Sequence, residues 1–135
     1  MAGIFPQMSF RTLCGGPAPG HSGLMSEIEN PNALVTALHV DDVAPMEVAL
    51  GIVRRRLTGT EYARAWLIDF APGSQWPEVD VHATEERYYV LDGEVIEGSD
   101  RYGAGTYVVF APGSRHRPRT ETGARILGIS LLPTT

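Results

Sequence analysis

From residue 34 onward, apolar and polar positions alternate in short runs that are cut by turn residues. A period of two is the mark of strands half-buried against a core. The pattern predicts strands over residues 35–40, 51–57, 62–70, 75–82, 87–91, 94–97, 106–110 and 126–132. No stretch carries a long apolar repeat at the helical period, so helix content should be small. Asp92-Gly93, between two apolar runs, is a strong hairpin signal. Pro72-Gly73 and Pro112-Gly113 mark two further turns. The run Phe70-Ala71-Pro72-Gly73-Ser74 recurs as Phe110-Ala111-Pro112-Gly113-Ser114, as two equivalent corners of a folded-over β-structure would. Many short strands at regular spacing predict an all-β barrel or sandwich.

The first 33 residues lack this texture. Gly15, Gly16, Pro17, Pro19, Gly20 and Gly23 break any periodicity. They read as an irregular N-terminal arm, either flexible or laid against a partner subunit, ahead of a single barrel domain over 34–135.

Composition narrows the chemistry. The chain has 135 residues, a length suited to one domain. A net charge of −5 argues against a general nucleic-acid binder. The apolar runs are too short for a membrane span, and no secretory leader is evident. The single cysteine, Cys14, has no partner within the chain, and the expected setting is the cytoplasm. Lysine is absent; all 11 basic residues are arginine. Schiff-base chemistry, a lysine base and a phosphate-loop lysine are thereby excluded.

Four side chains stand out: Asp80, His82, Glu86 and His116. Asp80 and His82 are two apart and share a strand face. Glu86 opens the next strand, and His116 follows the second Pro-Gly turn. Two imidazoles and two carboxylates converging in a barrel suit a divalent ion such as Fe2+, Mn2+, Ni2+ or Zn2+. From spacing alone the signal is weak, and a polar strand edge with each group solvated is the other reading.

The segment from Gly73 to Gly93, with Asp80-Val81-His82-Ala83-Thr84-Glu85-Glu86 at its centre, resembles the first motif of the cupin superfamily. The segment Gly105 to His116, GTYVVFAPGSRH, resembles the second. The chain is similar to small single-domain cupins of the ChrR and acetylacetone-dioxygenase-like types, over roughly Gly51 to Leu132. That resemblance implies a double-stranded β-helix, a jelly-roll-like barrel. It places the family's metal ligands on His82, Glu86 and His116. Asp80 stands where the family's first histidine would be. A carboxylate there gives two histidines with one or two carboxylates, or else marks a lost site. The resemblance also implies one divalent ion per chain, Fe2+ favoured, with Zn2+, Mn2+ or Ni2+ as alternatives.

Strand parity adds further candidates. Trp76, Glu78, Asp80 and His82 would share one face. Glu78 is then a candidate acid or base, and Trp76 a wall for a flat or apolar substrate, or plain core. Tyr88 shares parity with Glu86 and is a candidate to donate to a substrate oxygen, or to fill the core. Arg115, Arg117 and Arg119 alternate with His116 and point outward, as a solvated rim or, at Arg119, as capture of an anionic substrate. Arg54-Arg55-Arg56 reads as a sheet edge blunted by charge.

These readings converge on a metal-dependent enzyme acting on a small organic molecule, with dioxygenase-like cleavage or oxidation foremost. Two other classes stay open. One is a metal-free isomerase, cyclase or dehydratase using His82 and the carboxylates. The other is a non-enzymatic ligand- or metal-sensing domain. A homodimer is expected, without nucleic-acid or membrane partners.

Overall fold

The computed structural model describes residues 34–134, so the expected arm over 1–33 lies outside the described residues. The chain divides into two units, and the second, Thr36–Thr135, carries all nine described strands. These are β1 (Met46–Ala49), β2 (Ile52–Arg56), β3 (Ala63–Phe70), β4 (Asp80–Val81), β5 (Glu86–Glu97), β6 (Asp100–Gly103), β7 (Tyr107–Phe110), β8 (Arg115–His116) and β9 (Ala124–Leu131). The only described helix is a single 3-10 turn at Val40–Asp42. The expected all-β fold is what forms.

Every strand pairing among the described residues is antiparallel. One sheet runs β1-β2-β3-β9-β5-β6, with β7 also paired to β5, and β4 pairs with β8 in a short second ribbon. The core lies inside the curl: Ile52, Ile68, Phe70, Tyr88, Val90, Val95, Ala124 and Ile126 form one buried cluster. A fully buried Val or Ile contributes about 1.5–3 kcal/mol. An exposed ion pair contributes about 0–1 kcal/mol. The apolar cluster therefore dominates over surface pairs such as Arg101–Glu121.

The repeated Phe-Ala-Pro-Gly-Ser runs make the same corner twice. Gly73 and Gly113 have φ of 79° and 88°. Ser74 N–H and Ser114 N–H donate back to Ala71 O and Ala111 O at 3.1 and 3.0 Å. Each serine hydroxyl donates to the same carbonyl at 2.6 Å. Proline followed by a positive-φ glycine is the type II pattern. One corner follows β3 and leads toward β4; the other joins β7 to β8. The register then sets Asp80 opposite His116.

Four expectations need correction. Residues 35–40 form no strand; the first strand is β1, which is absent from the alternation reading. The edge expected at Arg54-Arg55-Arg56 holds only for Arg55 and Arg56, which pair with β3 alone; Arg54 is paired on both sides, to Met46 of β1 and Ile68 of β3. Arg54 instead lies over the Trp66 ring at 5.7 Å. Residues 75–82 are not one strand: after an isolated bridge at Gln75, the chain bends at Pro77-Glu78 before β4.

Asp92-Gly93 is not a hairpin. β5 passes straight through it, and the chain reverses at Gly98-Ser99, with Glu97 opposite Asp100. Val90 faces Ile126 and Asp92 faces Arg125, so one extra residue of β5 is accommodated as a bulge against β9. Gly93, at φ 74°, packs directly on the β9 backbone. An extra residue exchanges the faces of everything after it. Glu86, Tyr88 and Val90 point inward before the bulge; Val95 and Glu97 do so after it.

Candidate metal centre

Asp80, His82, Glu86 and His116 each offer a ligand atom, and these atoms all lie within 4.8 Å of one another. Asp80 comes from β4 and His116 from β8, held as register partners. His82 follows β4. Its N–H donates to Ser114 O at 2.9 Å, and its carbonyl accepts from Gly113 N at 2.7 Å, so the second corner fixes its backbone. Glu86 opens β5 opposite Ser130 and Phe110.

The side chains are held in turn. Ser130 Oγ donates to Glu86 Oε2 at 2.8 Å. Glu86 Oε2 also lies 3.3 Å from His82 Nδ1. His116 Nδ1 is 2.9 Å from Glu97 Oε1, and His116 Nε2 is 3.9 Å from Asp80 Oδ2. The Phe110 ring packs on both imidazoles, with centroids at 5.4 Å from His82 and 4.2 Å from His116. The His82 and His116 side chains are 5% and 7% exposed, whereas Asp80 is 40% exposed and forms the open edge.

This donor set fits a divalent cation. His82 Nε2 is buried and has no hydrogen-bond partner. An unsatisfied buried polar group costs about 1–3 kcal/mol, which a bound ion would offset. Two carboxylates this close repel by roughly 3–4 kcal/mol at an effective dielectric near 20. A cation between them reverses the sign of that interaction. Two imidazoles with carboxylates are borderline-to-hard donors suited to first-row divalent metals.

Above the cluster lies a narrow cavity of about 30 Å3, bounded by Trp66, Phe70, Trp76, Tyr88, Pro118 and Ile126, with Asp80, Glu86 and His116 at its polar end. A volume on that scale admits a water or two. A wider, open depression of about 590 Å3, bordered by Asp69, Asp92 and Arg125, touches none of the four candidates.

Trp76 lines the cavity as expected, its ring 6.3 Å from that of Phe70. Tyr88 is 2% exposed and lines it too. Its hydroxyl donates to Glu97 Oε1 at 2.9 Å. Burial first, then the Glu97 charge and that hydrogen bond, hold the phenol far above the ordinary tyrosine range. Glu78 does not share the inward face: the bend at Pro77-Glu78 leaves it exposed, outside the cavity. Arg119 also lies outside the cavity lining, where Nη1 reaches Glu121 at 3.4 Å and its backbone pairs with Ile96. Arg117 donates to the Trp76 and Pro77 carbonyls at 2.9 and 3.1 Å and so pins the bend.

Two contributors escape the sequence reading. Ser130 carries no signal beyond its place in a strand. Glu97 is hidden by the bulge, which turns it inward against the parity of Glu86 and Tyr88.

No functionally curated protein matches the chain in sequence. Solved structures do match its fold. An acetylacetone-dioxygenase-like protein from Methylibium petroleiphilum aligns with a TM-score of 0.65 at 18% identity, over 73% of this chain and 77% of the other. The anti-sigma factor ChrR of Rhodobacter sphaeroides, in complex with SigE, aligns at 0.62 and 22% identity, over 86% and 70%. The polyketide cyclase RemF of Streptomyces resistomycificus aligns at 0.62 and 19% identity, over 73% and 80%. Residues 34–131 match the family model of the ChrR cupin-like domain. With the two corners, the β4–β8 ribbon and the His/Asp/Glu cluster in place, the chain belongs to the ChrR cupin-like domain family of cupins.

Proposed function

We propose that this chain is a metal-dependent enzyme acting on a small organic molecule, with dioxygenase-like oxidation or carbon–carbon cleavage as its reaction class. The observation that carries this reading is the convergence of four donor groups within 4.8 Å, with the ring of one of them, His82, buried and lacking a partner at Nε2. His82, Glu86 and His116 would hold one divalent ion per chain, with Asp80 as a further oxygen ligand at the exposed edge. Two histidines with carboxylate support favour Fe2+. When bound, such an ion supplies Lewis acidity and redox chemistry toward a chelating oxygen function.

The protein's own residues do the rest. The walls made by Trp66, Trp76, Tyr88 and Ile126 leave room for only a water or two beside the donors, so a substrate would reach the ion from the exposed Asp80 edge. The Tyr88 proton is committed to Glu97, so this phenol shapes the site more than it donates to substrate. Glu86 holds charge at the centre through Ser130. Glu78, the candidate acid or base, and Arg119 have no part in this reading, since both lie outside the cavity. A homodimer is part of this reading, supported by exposed Tyr89, Leu91, Tyr107 and Val109 on β5 and β7. Light scattering measures it.

A second reading, non-catalytic sensing of a metal or ligand, is favoured by the family match itself. Oxygen uptake by the iron-loaded protein, across a panel of small dicarbonyls and diols, separates the two. Turnover that is lost in His116→Ala supports the enzyme. Metal binding without uptake on any member removes the dioxygenase class and leaves the sensor. Loss of substrate by metal-free protein without oxygen uptake points to acid–base chemistry.

A further inference from the structure

We infer that Glu97 is the positioning residue of His116: it accepts the Nδ1 proton, so that Nε2 presents its lone pair to the Asp80–His82–Glu86 cluster. The inference builds on the metal-holding reading above, but it concerns the imidazole itself.

Glu97 closes β5, and its side chain is 10% exposed. Its Oε1 meets two groups, the Tyr88 hydroxyl and His116 Nδ1, each at 2.9 Å. Oε1 already accepts the Tyr88 hydroxyl, and a carboxylate oxygen in this place pairs with the tautomer that carries its proton on Nδ1, which leaves the ring's lone pair at Nε2. Nε2 is the nitrogen that lies 3.9 Å from Asp80 Oδ2, on the cluster side. Glu97 is not itself in the cluster; it stands behind the ring. Tyr88 supplies the other hydrogen bond to Oε1, which keeps the carboxylate from swinging away.

A carboxylate behind a ligating imidazole fixes its tautomer and direction and raises its basicity. Here the bulge at Val90–Asp92 is what makes this possible, because without the extra residue Glu97 would face away from Tyr88.

The test uses the full chain and three variants: Glu97→Ala, Glu97→Gln and Tyr88→Phe. The first readout is long-range proton–nitrogen NMR of the imidazoles in metal-free protein, which distinguishes the Nδ1–H, Nε2–H and doubly protonated rings. Wild type should show His116 in the Nδ1–H form. Glu97→Gln keeps an acceptor and should retain it. Glu97→Ala should shift the ring toward the Nε2–H form. The second readout is Zn2+ affinity by competition with a chelator. Glu97→Ala should lose roughly 10–100-fold. Glu97→Gln should lose less, and Tyr88→Phe least.

His116 unchanged in tautomer with Zn2+ affinity within about twofold in Glu97→Ala overturns the inference, whatever the metal reading's standing. The expected tautomer shift with no Zn2+ bound by wild type upholds Glu97 and removes the metal reading. If Glu97→Ala fails to fold, Glu97→Gln and Tyr88→Phe decide: both matching wild-type affinity overturns the inference, and a graded loss upholds it.

Discussion

Replacing Gly93 by alanine tests the bulge on which the site's inner shape depends. Gly93 has φ 74°, and a Cβ built there would lie 2.0 Å from Gly123 O, 2.8 Å from Gly123 C and 2.9 Å from Ala124 Cα. All three are backbone atoms of the neighbouring chain segment and cannot rotate away. The left-handed backbone alone costs an alanine about 1–2 kcal/mol. Forcing the β5 and β9 backbones apart adds about 1–3 kcal/mol, the usual range for overpacking. Gly73 is the internal control: its φ is 79°, and nothing lies within 4 Å of its Cβ position. Gly73→Ala should therefore show the conformational term only. Each kcal/mol lowers the melting temperature of a domain this size by about 4–8 °C. Gly93→Ala should thus fall by roughly 10–30 °C, and Gly73→Ala by roughly half of that or less. Calorimetry with matching denaturant titrations measures both. Equal losses, within about 0.5 kcal/mol, would refute the close approach of β5 to β9 and the bulge geometry built on it.

Three further outcomes follow from the site. Asp80→His removes an anionic ligand and adds an imidazole; it should keep metal binding and shift preference from Mn2+ or Fe2+ toward Zn2+ or Ni2+, read by competition between ions. An unchanged ranking would contradict Asp80 as a ligand. Ser130→Ala deletes the 2.8 Å hydrogen bond to Glu86 and should weaken metal affinity several-fold with little change in melting; full affinity would show that Glu86 needs no such support. The Tyr88 phenol is held above its ordinary range, so the stability it contributes is complete below about pH 10 and lost as pH rises further. Tyr88→Phe should flatten that alkaline decline and leave the tyrosinate absorbance of the folded protein unchanged, whereas loss of one titrating equivalent would contradict the buried phenol.

The legible and illegible parts of the sequence differ for one physical reason. Alternation reports a side chain's face only while a strand stays regular. The two Pro-Gly corners are local, set by proline's fixed φ and glycine's freedom, and so they were readable. They bring β4 and β8 together, which made Asp80, His82 and His116 readable as a group. Parity misplaces Glu78 because Pro77 starts a bend within the run from Trp76 to His82. Asp92-Gly93 has the chemistry of a hairpin turn, but β9 pairs with both residues and β6 pairs with β5 from Glu94 onward, so tertiary pairing overrides the local preference. That single misreading also concealed Glu97. Ser130 and the narrowness of the cavity depend on contacts between residues far apart in the chain, which periodicity does not encode.

The central claim is that His82, Glu86 and His116 form one ion site. Metal analysis after reconstitution of the full chain with Fe2+ or Mn2+, compared with His82→Ala and His116→Ala, tests it most directly. The account predicts about one ion per wild-type chain and none retained against a chelator by either variant, since too few donors then remain. Wild-type protein that holds no divalent ion, or a His82→Ala variant that binds as tightly as wild type, would contradict it.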